Sequence, residues 1–233
     1  MRQIARETVI SLVATAIVVV LCCMLYPAAV YGIGQLAFRH QTNGSLVDKN
    51  GSVSGTDDSI GSSLLGQVFK APDYFHPRPS AAGAGYDGAN SSGTNLGPLS
   101  DKLLNGASDD PATKDVDESF VGVKQLVAAY RAENGLSPEV LVPADAVTRS
   151  ASGLDPDITP ANASFQVARV ARARGVPESV VRALVARHIK PRDWAIFGEP
   201  RVNVLQLNLA LDREVPKRPG DTDREGRVAV AQH

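Results

Sequence analysis

Between Glu7 and Arg39 the sequence carries no charged side chain. Within that gap Thr8–Val30 reads TVISLVATAIVVVLCCMLYPAAV. Coiled as a helix, at about 1.5 Å of rise per residue, the run covers about 30 Å of hydrocarbon. Val, Ile and Thr are mediocre helix formers in water. In lipid the helix is enforced, because every backbone N–H and C=O must find a partner within the segment. Tyr26 and Tyr31 fall where an aromatic belt meets headgroups, and Pro27 predicts a kink near the far end. The run exceeds the apolar core of a typical cleaved signal. Leu21 also occupies the place before Cys22 where a lipoprotein signal needs a small residue. The expectation is an uncleaved single-pass anchor.

The flanks predict its orientation. Arg2 and Arg6 precede the span, whereas the first basic residues after it are Arg39 and Lys49. The positive-inside bias therefore places residues 1–7 in the cytoplasm, residues 8–30 across the cell (inner) membrane, and the rest outside the cytoplasm. Residues 31–62 read as a juxtamembrane and polar connector, residues 63–212 as one extracytoplasmic domain, and residues 213–233 as a charged, disordered tail. Both cysteines, Cys22 and Cys23, lie inside the span, so the domain has neither a disulfide nor a thiolate metal site. A net charge of -1 argues against a nucleic-acid partner.

Periodicity predicts an α+β domain, helix-rich toward the C-terminus. Ser45–Val47 suggests an edge strand, Ser63–Phe69 a buried strand, and Ala144–Ser150 a further strand. Helices are expected over Phe120–Asn134, from Thr159-Pro160 to Gly175, and onward from Pro177. Leu205, Leu207, Leu209 and Leu211 alternate like a strand, but Asn203 followed by Gln206 is a capping-box pattern that favours a helix. Residues 71–100 form an unusually long Pro-, Gly- and Asn-rich loop. Its apolar anchors Tyr74, Phe75, Tyr86 and Leu96 point to an ordered, packed segment.

No constellation for chemistry emerges from the residues. His40, His76, His188 and His233 lack partners at metal-ligand spacing, and His76 reads as a structural hydrogen-bonding group. Gly83–Gly88 matches GxGxxG in letters only, since neither a strand precedes it nor a helix follows. Asp109-Asp110 and Asp115–Glu118 read as solvated loop charge. An anchored hydrolase would need a nucleophile–base pair or metal ligands that the sequence does not offer. A free-standing membrane-anchored binding protein shares every gross feature and stays open.

Several odd segments remain, read in order. They are Tyr74-Phe-His-Pro-Arg-Pro-Ser80, Tyr86-Asp87, Ser92-Gly-Thr-Asn-Leu-Gly-Pro98, Ser150-Ala-Ser-Gly-Leu-Asp-Pro156, Ile158-Thr-Pro160, Gln166–Gly175, and Gly198-Glu-Pro-Arg-Val-Asn-Val-Leu-Gln-Leu-Asn-Leu-Ala-Leu-Asp212. Together with the single span, this pattern closely resembles the C subunit of the Kdp-type potassium-transporting ATPase, over roughly residues 5–212. The usual glycine loop of that family ends GPTN, whereas this chain has Gly97-Pro-Leu-Ser100.

The resemblance implies an accessory, non-pumping subunit of a high-affinity potassium uptake complex. Its partners would be a channel-like potassium-binding subunit, a P-type ATPase subunit that carries the phosphorylation chemistry, a small membrane subunit, and the lipid bilayer. It implies no cofactor of the chain's own, with ATP and potassium handled by the complex. The family is also described as a catalytic chaperone that raises ATP affinity, with direct contact to the nucleotide left open, a role in tension with a domain outside the cytoplasm. The motif positions Tyr74, Phe75, His76, Arg78, Ser80, Asn95, Gly97, Ser152, Gly153, Asp155, Pro156, Glu199, Asn203 and Asn208 are the candidate partner-contact residues it suggests.

Overall fold

The computed structural model describes residues 2–53, 58–106 and 120–216. It divides into two compact units, Met1–Ser45 and Leu46–His233. The acidic clusters at 109–110 and 115–118, His233, and the tail from 217 onward lie outside the described residues.

The first unit is a continuous helix of 36 residues, α1 (Arg2–Ala37), long and apolar enough to cross a membrane. It outruns the Thr8–Val30 stretch at both ends, since its hydrogen-bond ladder does not stop where the polar residues begin. Thr8 and Ser11 donate their hydroxyls to the carbonyls four residues back, Ile4 at 2.9 Å and Glu7 at 2.8 Å, which satisfies them within the helix. Over Val20–Leu25 the ladder widens to a π-helix, with the Tyr26 N–H bonded to the Leu21 carbonyl. Pro27 accounts for the position. Its ring lacks an N–H and collides with the carbonyl four residues earlier, and a wide turn just before it relieves both problems. Phe38 leaves helical geometry, and one further turn, α2 (Arg39–Thr42), follows.

The second unit is α+β. Strand β1 (Leu46–Val47), within the expected Ser45–Val47 edge, pairs antiparallel with β2 (Gly61–Ser62). Two expected strands are corrected. Ser63–Phe69 forms none, because Leu65 N–H turns back onto the Ser62 carbonyl and Gly66 N–H bonds to the Leu154 carbonyl instead. At Gly66 a Cβ would lie 2.3 Å from the Tyr86 ring and 2.7 Å from the Asp155 carbonyl, so the chain can pass there only as glycine. Ala144–Ser150 opens as a short helix, since Pro143 fixes an N-terminal cap and the Ala146 N–H closes a turn on its carbonyl.

The three expected helices are present, the first beginning at Val123 and not at Phe120. A short α3 (Asp101–Asn105) precedes α4 (Val123–Asn134), which ends at Gly135; α5 is Ala144–Val147. Helix α6 (Pro160–Arg174) starts on Thr159, whose side chain accepts from the Asn162 N–H, and ends at Gly175. Helix α7 (Glu178–Arg187) follows directly and packs against α6. Strands β3 (Asp157–Ile158), β4 (Ile189–Lys190) and β5 (Arg201–Asn203) form an antiparallel sheet with β5 in the middle. Helix α8 (Val204–Glu214) leaves β5 with Asn203 as its cap, its Oδ1 accepting from the Gln206 N–H at 3.0 Å.

One face each of α6 and α7 closes with α8 on the main core. Val167, Val170, Val181, Leu184, Val202, Leu205, Leu207 and Leu211 are essentially shut off from solvent, and Phe75 is 0% exposed among them. Helix α8 is buried nearly all round, every residue from Val204 to Leu211 except Gln206. That explains the alternating leucines: a helix covered on all sides accepts apolar residues at any spacing. Tyr130, Ala146 and Val147 make a smaller core with α4.

Candidate functional site

The segment Pro72–His76 leaves a turn in which the Tyr74 N–H bonds to the Ala71 carbonyl, and with no neighbouring strand its remaining backbone groups need other partners. Side chains of α6 and α8 supply them. Asn208 clamps Phe75 from one side, accepting its N–H at 2.9 Å and donating to its carbonyl at 2.9 Å. Gln166 clamps His76 in the same way, accepting its N–H at 2.7 Å and donating to its carbonyl at 3.0 Å. An amide side chain carries the same donor and acceptor as a peptide unit, so each acts as one rung of a missing strand.

Two buried arginines complete the holder. Arg169 donates to the Pro72 and Tyr74 carbonyls at 2.7 and 2.9 Å, and to Asn134 and Gln166 at 3.0 and 2.7 Å. Arg174 donates to the Asp73 and Val215 carbonyls and pairs with Asp212 at 2.8 Å, while the Tyr74 hydroxyl donates to the other Asp212 oxygen at 2.8 Å. Burial and the adjacent Asp212 carboxylate both push the Tyr74 phenol well above its ordinary value, so it remains a donor.

Past Pro77 the chain is stitched to the 148–156 turn. Arg78 pairs with Asp155 at 2.6 Å. Ser80 donates to the Gly153 carbonyl at 2.7 Å and accepts the N–H groups of Ala82 and Tyr86 at 3.1 and 2.9 Å. Ser92 N–H meets the Ser152 carbonyl at 3.1 Å. Gly153 has φ of +69°, and a Cβ there would sit 2.6 Å from the Ser92 carbonyl and 2.7 Å from the Ala82 nitrogen. No other residue type fits without displacing both loops.

A cleft of about 340 Å³ opens where these pieces meet α4, lined by residues including His76, Arg78, Ser80, Tyr86, Tyr130 and Glu133. His76 Nδ1 lies 2.6 Å from Glu133 Oε1, a base-and-orienter arrangement in outline, but its Nε2 is already 2.9 Å from the Ala71 carbonyl. The Glu133 carboxyl lies below its ordinary value. Burial pushes it up, but the hydrogen bond and charge of His76, with Arg169 nearby, outweigh that.

The cleft's hydroxyls are all committed. Tyr86 donates to the Arg78 carbonyl at 2.5 Å, Tyr130 to Asn162 at 2.8 Å, and Ser80 as above. Burial drives both phenols upward, away from an activated nucleophile. Among the described residues no group of three His, Cys, Asp or Glu side chains could hold a metal ion. Among the described residues the cleft offers shape and charge for binding.

The motif positions therefore separate into three kinds. Tyr74, Phe75, Gly153, Asn203 and Asn208 are buried, whereas His76, Arg78, Ser80, Asp155 and Pro156 are partly buried around the cleft and the stitched loops. Asn203 ties its cap to the Ser63 carbonyl at 2.9 Å and to Asp157 at 3.2 Å. Asn95, Gly97, Ser152 and Glu199 are exposed. Glu199 stands apart on the β4–β5 hairpin, paired with Arg192 at 2.7 Å.

Sequence reasoning missed the clamp made by Gln166, Arg169 and Arg174. A signal was present: Gln166 and Arg174 fall in the same helical stripe as Ala163, Val167, Val170 and Ala171, which are buried. In α7 the apolar residues Val181, Leu184 and Val185 are buried and Val180 is exposed.

Fold and site together define a class: an α+β domain, preceded by one helix of membrane-spanning length, with no reaction centre assembled among its described residues. Residues 8–213 match the family described as K+-transporting ATPase, c chain. The chain is similar to the potassium-transporting ATPase KdpC subunit of Caulobacter vibrioides, 49% identical over 91% of this chain and 96% of the relative. The KdpC subunit of Koribacter versatilis is 46% identical over 91% and 96%, and that of Mycobacterium tuberculosis 46% identical over 89% and 98%. The chain belongs to the KdpC family of potassium-transporting ATPase subunits.

Proposed function

We infer that this chain is an accessory, non-pumping subunit of a high-affinity, ATP-driven potassium uptake complex. Its partners are a channel-like potassium-binding subunit, a P-type ATPase subunit and a small membrane subunit. The observation that carries this reading is the family match over residues 8–213. A domain whose polar groups are spent on holding its own loops agrees with the pumping chemistry residing elsewhere.

Helix α1 anchors the chain in the inner membrane with residues 1–7 in the cytoplasm, because Arg2 and Arg6 stand before the apolar run. The domain then lies outside, docked on the extracellular mouth of the potassium-binding subunit. On this topology the domain stands on the opposite side of the bilayer from the nucleotide. An effect on the ATPase subunit's ATP affinity reaches that subunit as a coupling free energy between distant sites.

Two experiments test this. Gentle detergent purification of a tagged chain from potassium-starved cells should recover the other subunits in stoichiometric amounts; recovery of the chain alone, with those subunits expressed and stable, favours a free-standing anchored binding protein. For topology, Leu99 is 98% exposed. L99C, in a chain whose Cys22 and Cys23 are replaced by serine, should react with an impermeant thiol reagent in intact spheroplasts. Labelling only after permeabilisation would place the domain in the cytoplasm and restore direct nucleotide contact.

A further inference from the structure

Strands β4 and β5 are joined by a hairpin whose tip carries the chain's single tryptophan. Trp194 is 87% exposed, Ile196 72% and Phe197 60%, and the Trp194 and Phe197 rings meet edge-on at 6.0 Å. Apolar side chains of this size normally turn inward, and these three present roughly 400–500 Å² of contiguous apolar surface, in the range that marks functional patches.

The tip is built, not loose. Asp193 and Phe197 exchange both backbone hydrogen bonds at 2.9 Å, and Ile196 N–H closes onto the Asp193 carbonyl. Between them Trp194 and Ala195 both take positive φ, +52° and +62°. Turns of that shape prefer Asn-Gly, and a tryptophan and an alanine there hold backbone strain. Two ion pairs brace the arms: Arg192 with Glu199 at 2.7 Å, and Arg201 with Asp193 at 3.0 Å. The fold spends strain to hold an indole in water.

We propose that this tip is a docking plug that seats in an apolar pocket on a membrane subunit of the potassium-transporting complex; the proposal rests on the subunit reading above. Three observations select that occupant. The two positive and two negative charges flanking the tip pair off, leaving the plug electrically neutral. A tip for anionic lipid would keep its arginines unpaired, and Lys190 sits at the hairpin's base. A second copy of this chain is disfavoured by area and shape. The tip offers about half of the roughly 800 Å² per partner that a stable interface buries, enough for an anchor within the larger subunit contact proposed above but not for a dimer of its own, and a convex plug cannot complement itself. A concave pocket lined with apolar side chains matches it, with the pre-set tryptophan as the anchor.

The test uses the whole complex in native membranes. A photoreactive benzophenone amino acid in place of Trp194 should crosslink to an identified membrane subunit, at a peptide lining an apolar pocket. W194A/F197A should lower recovery of the partner subunits by at least about tenfold, as expected for truncating an interface anchor. An unchanged thermal unfolding curve for that variant shows that the domain still folds. Adducts confined to lipid or to a second copy of the chain overturn the proposal, as does wild-type recovery of partners by W194A/F197A. If the wild-type chain itself recovers no partner, the subunit reading fails instead, and the two failures are thereby distinguished.

Discussion

Replacing Asn208 with leucine keeps the branched shape of the side chain, with some gain in volume, and removes both hydrogen bonds to Phe75. The Phe75 N–H and C=O lose partners at 2.9 Å each, in a residue with 0% exposure, so water cannot replace them without opening the core. An unpaired buried polar group costs about 1–3 kcal/mol, so N208L should lower stability by about 2–6 kcal/mol. For a domain of this size that is a fall in Tm of about 4–24 °C. The assay is urea unfolding of the full chain in mild detergent, followed by circular dichroism, with the slope against urea unchanged. Exchange of the Phe75 amide hydrogen should also quicken. A loss below about 1 kcal/mol, with that amide still protected, would mean that Phe75 finds other partners, and the clamp account would be wrong.

Other outcomes follow from the same geometry. R174K leaves a wholly buried cationic side chain with one compact donor group where a fork now reaches three backbone carbonyls and Asp212; a loss of about 3–5 kcal/mol in urea is expected. G153A forces a Cβ into the Ser92 carbonyl at positive φ; about 2–5 kcal/mol and faster proteolysis within residues 80–98 are expected, whereas G97A, with nothing within 4 Å, should be neutral. Glu133 has a folded-state pKa below its ordinary 4.5, so its pairing stabilises the fold above pH 4.5 and is lost as pH falls through the folded value. E133Q should flatten that acid limb, by no more than about 1 kcal/mol because the side chain is 38% exposed. E199Q breaks only a surface ion pair and should shift stability by less than about 1 kcal/mol in the same assay.

Helices with local start and stop signals were legible in the sequence: Thr159-Pro160 opening and Gly175 closing α6, and Asn203 capping α8. These signals are short-range, so a single sequence contains them. The sheet was not legible. Its strands run two or three residues, too short for alternation to register, and Ile158 pairs with Val202 across two intervening helices. The apolar run Ser63–Phe69 misled because its local pattern favours a strand while Gly66 is claimed by Tyr86 and Asp155, far along the chain. The candidate site shows the same division. The residue types in Tyr74–Ser80 were visibly unusual, but that Phe75 faces Asn208 and His76 faces Gln166 is a tertiary fact that no periodicity encodes. The hairpin tip left no signal either, since one tryptophan between two prolines reads equally as core or surface.

These placements bear on how such a domain could influence a distant partner. The segments that distinguish the sequence meet mostly inside the domain, where Gln166, Arg169, Arg174 and Asn208 bind the backbone of residues 72–76 through charge-assisted or paired hydrogen bonds. Rigidity is what such a network supplies. Rigid binding bodies lose little conformational freedom on docking, so more of their contact energy is retained in the complex. In the proposed topology the bilayer separates this domain from the nucleotide, and direct stabilisation of bound ATP is excluded by distance. A rigid domain seated on the outer face can still favour one conformation of its partner over another. It shifts ATP affinity only by the difference between its affinities for those two conformations. A tight-binding domain with equal affinity for both would assemble the complex and leave ATP affinity unchanged. Comparing the docking affinity of W194A/F197A with the ATP dependence of hydrolysis separates these cases. A variant that docks weakly but, at saturating concentration, restores the full ATP response would place the coupling outside the tip. Loss of that response at full occupancy would place it in the seated plug.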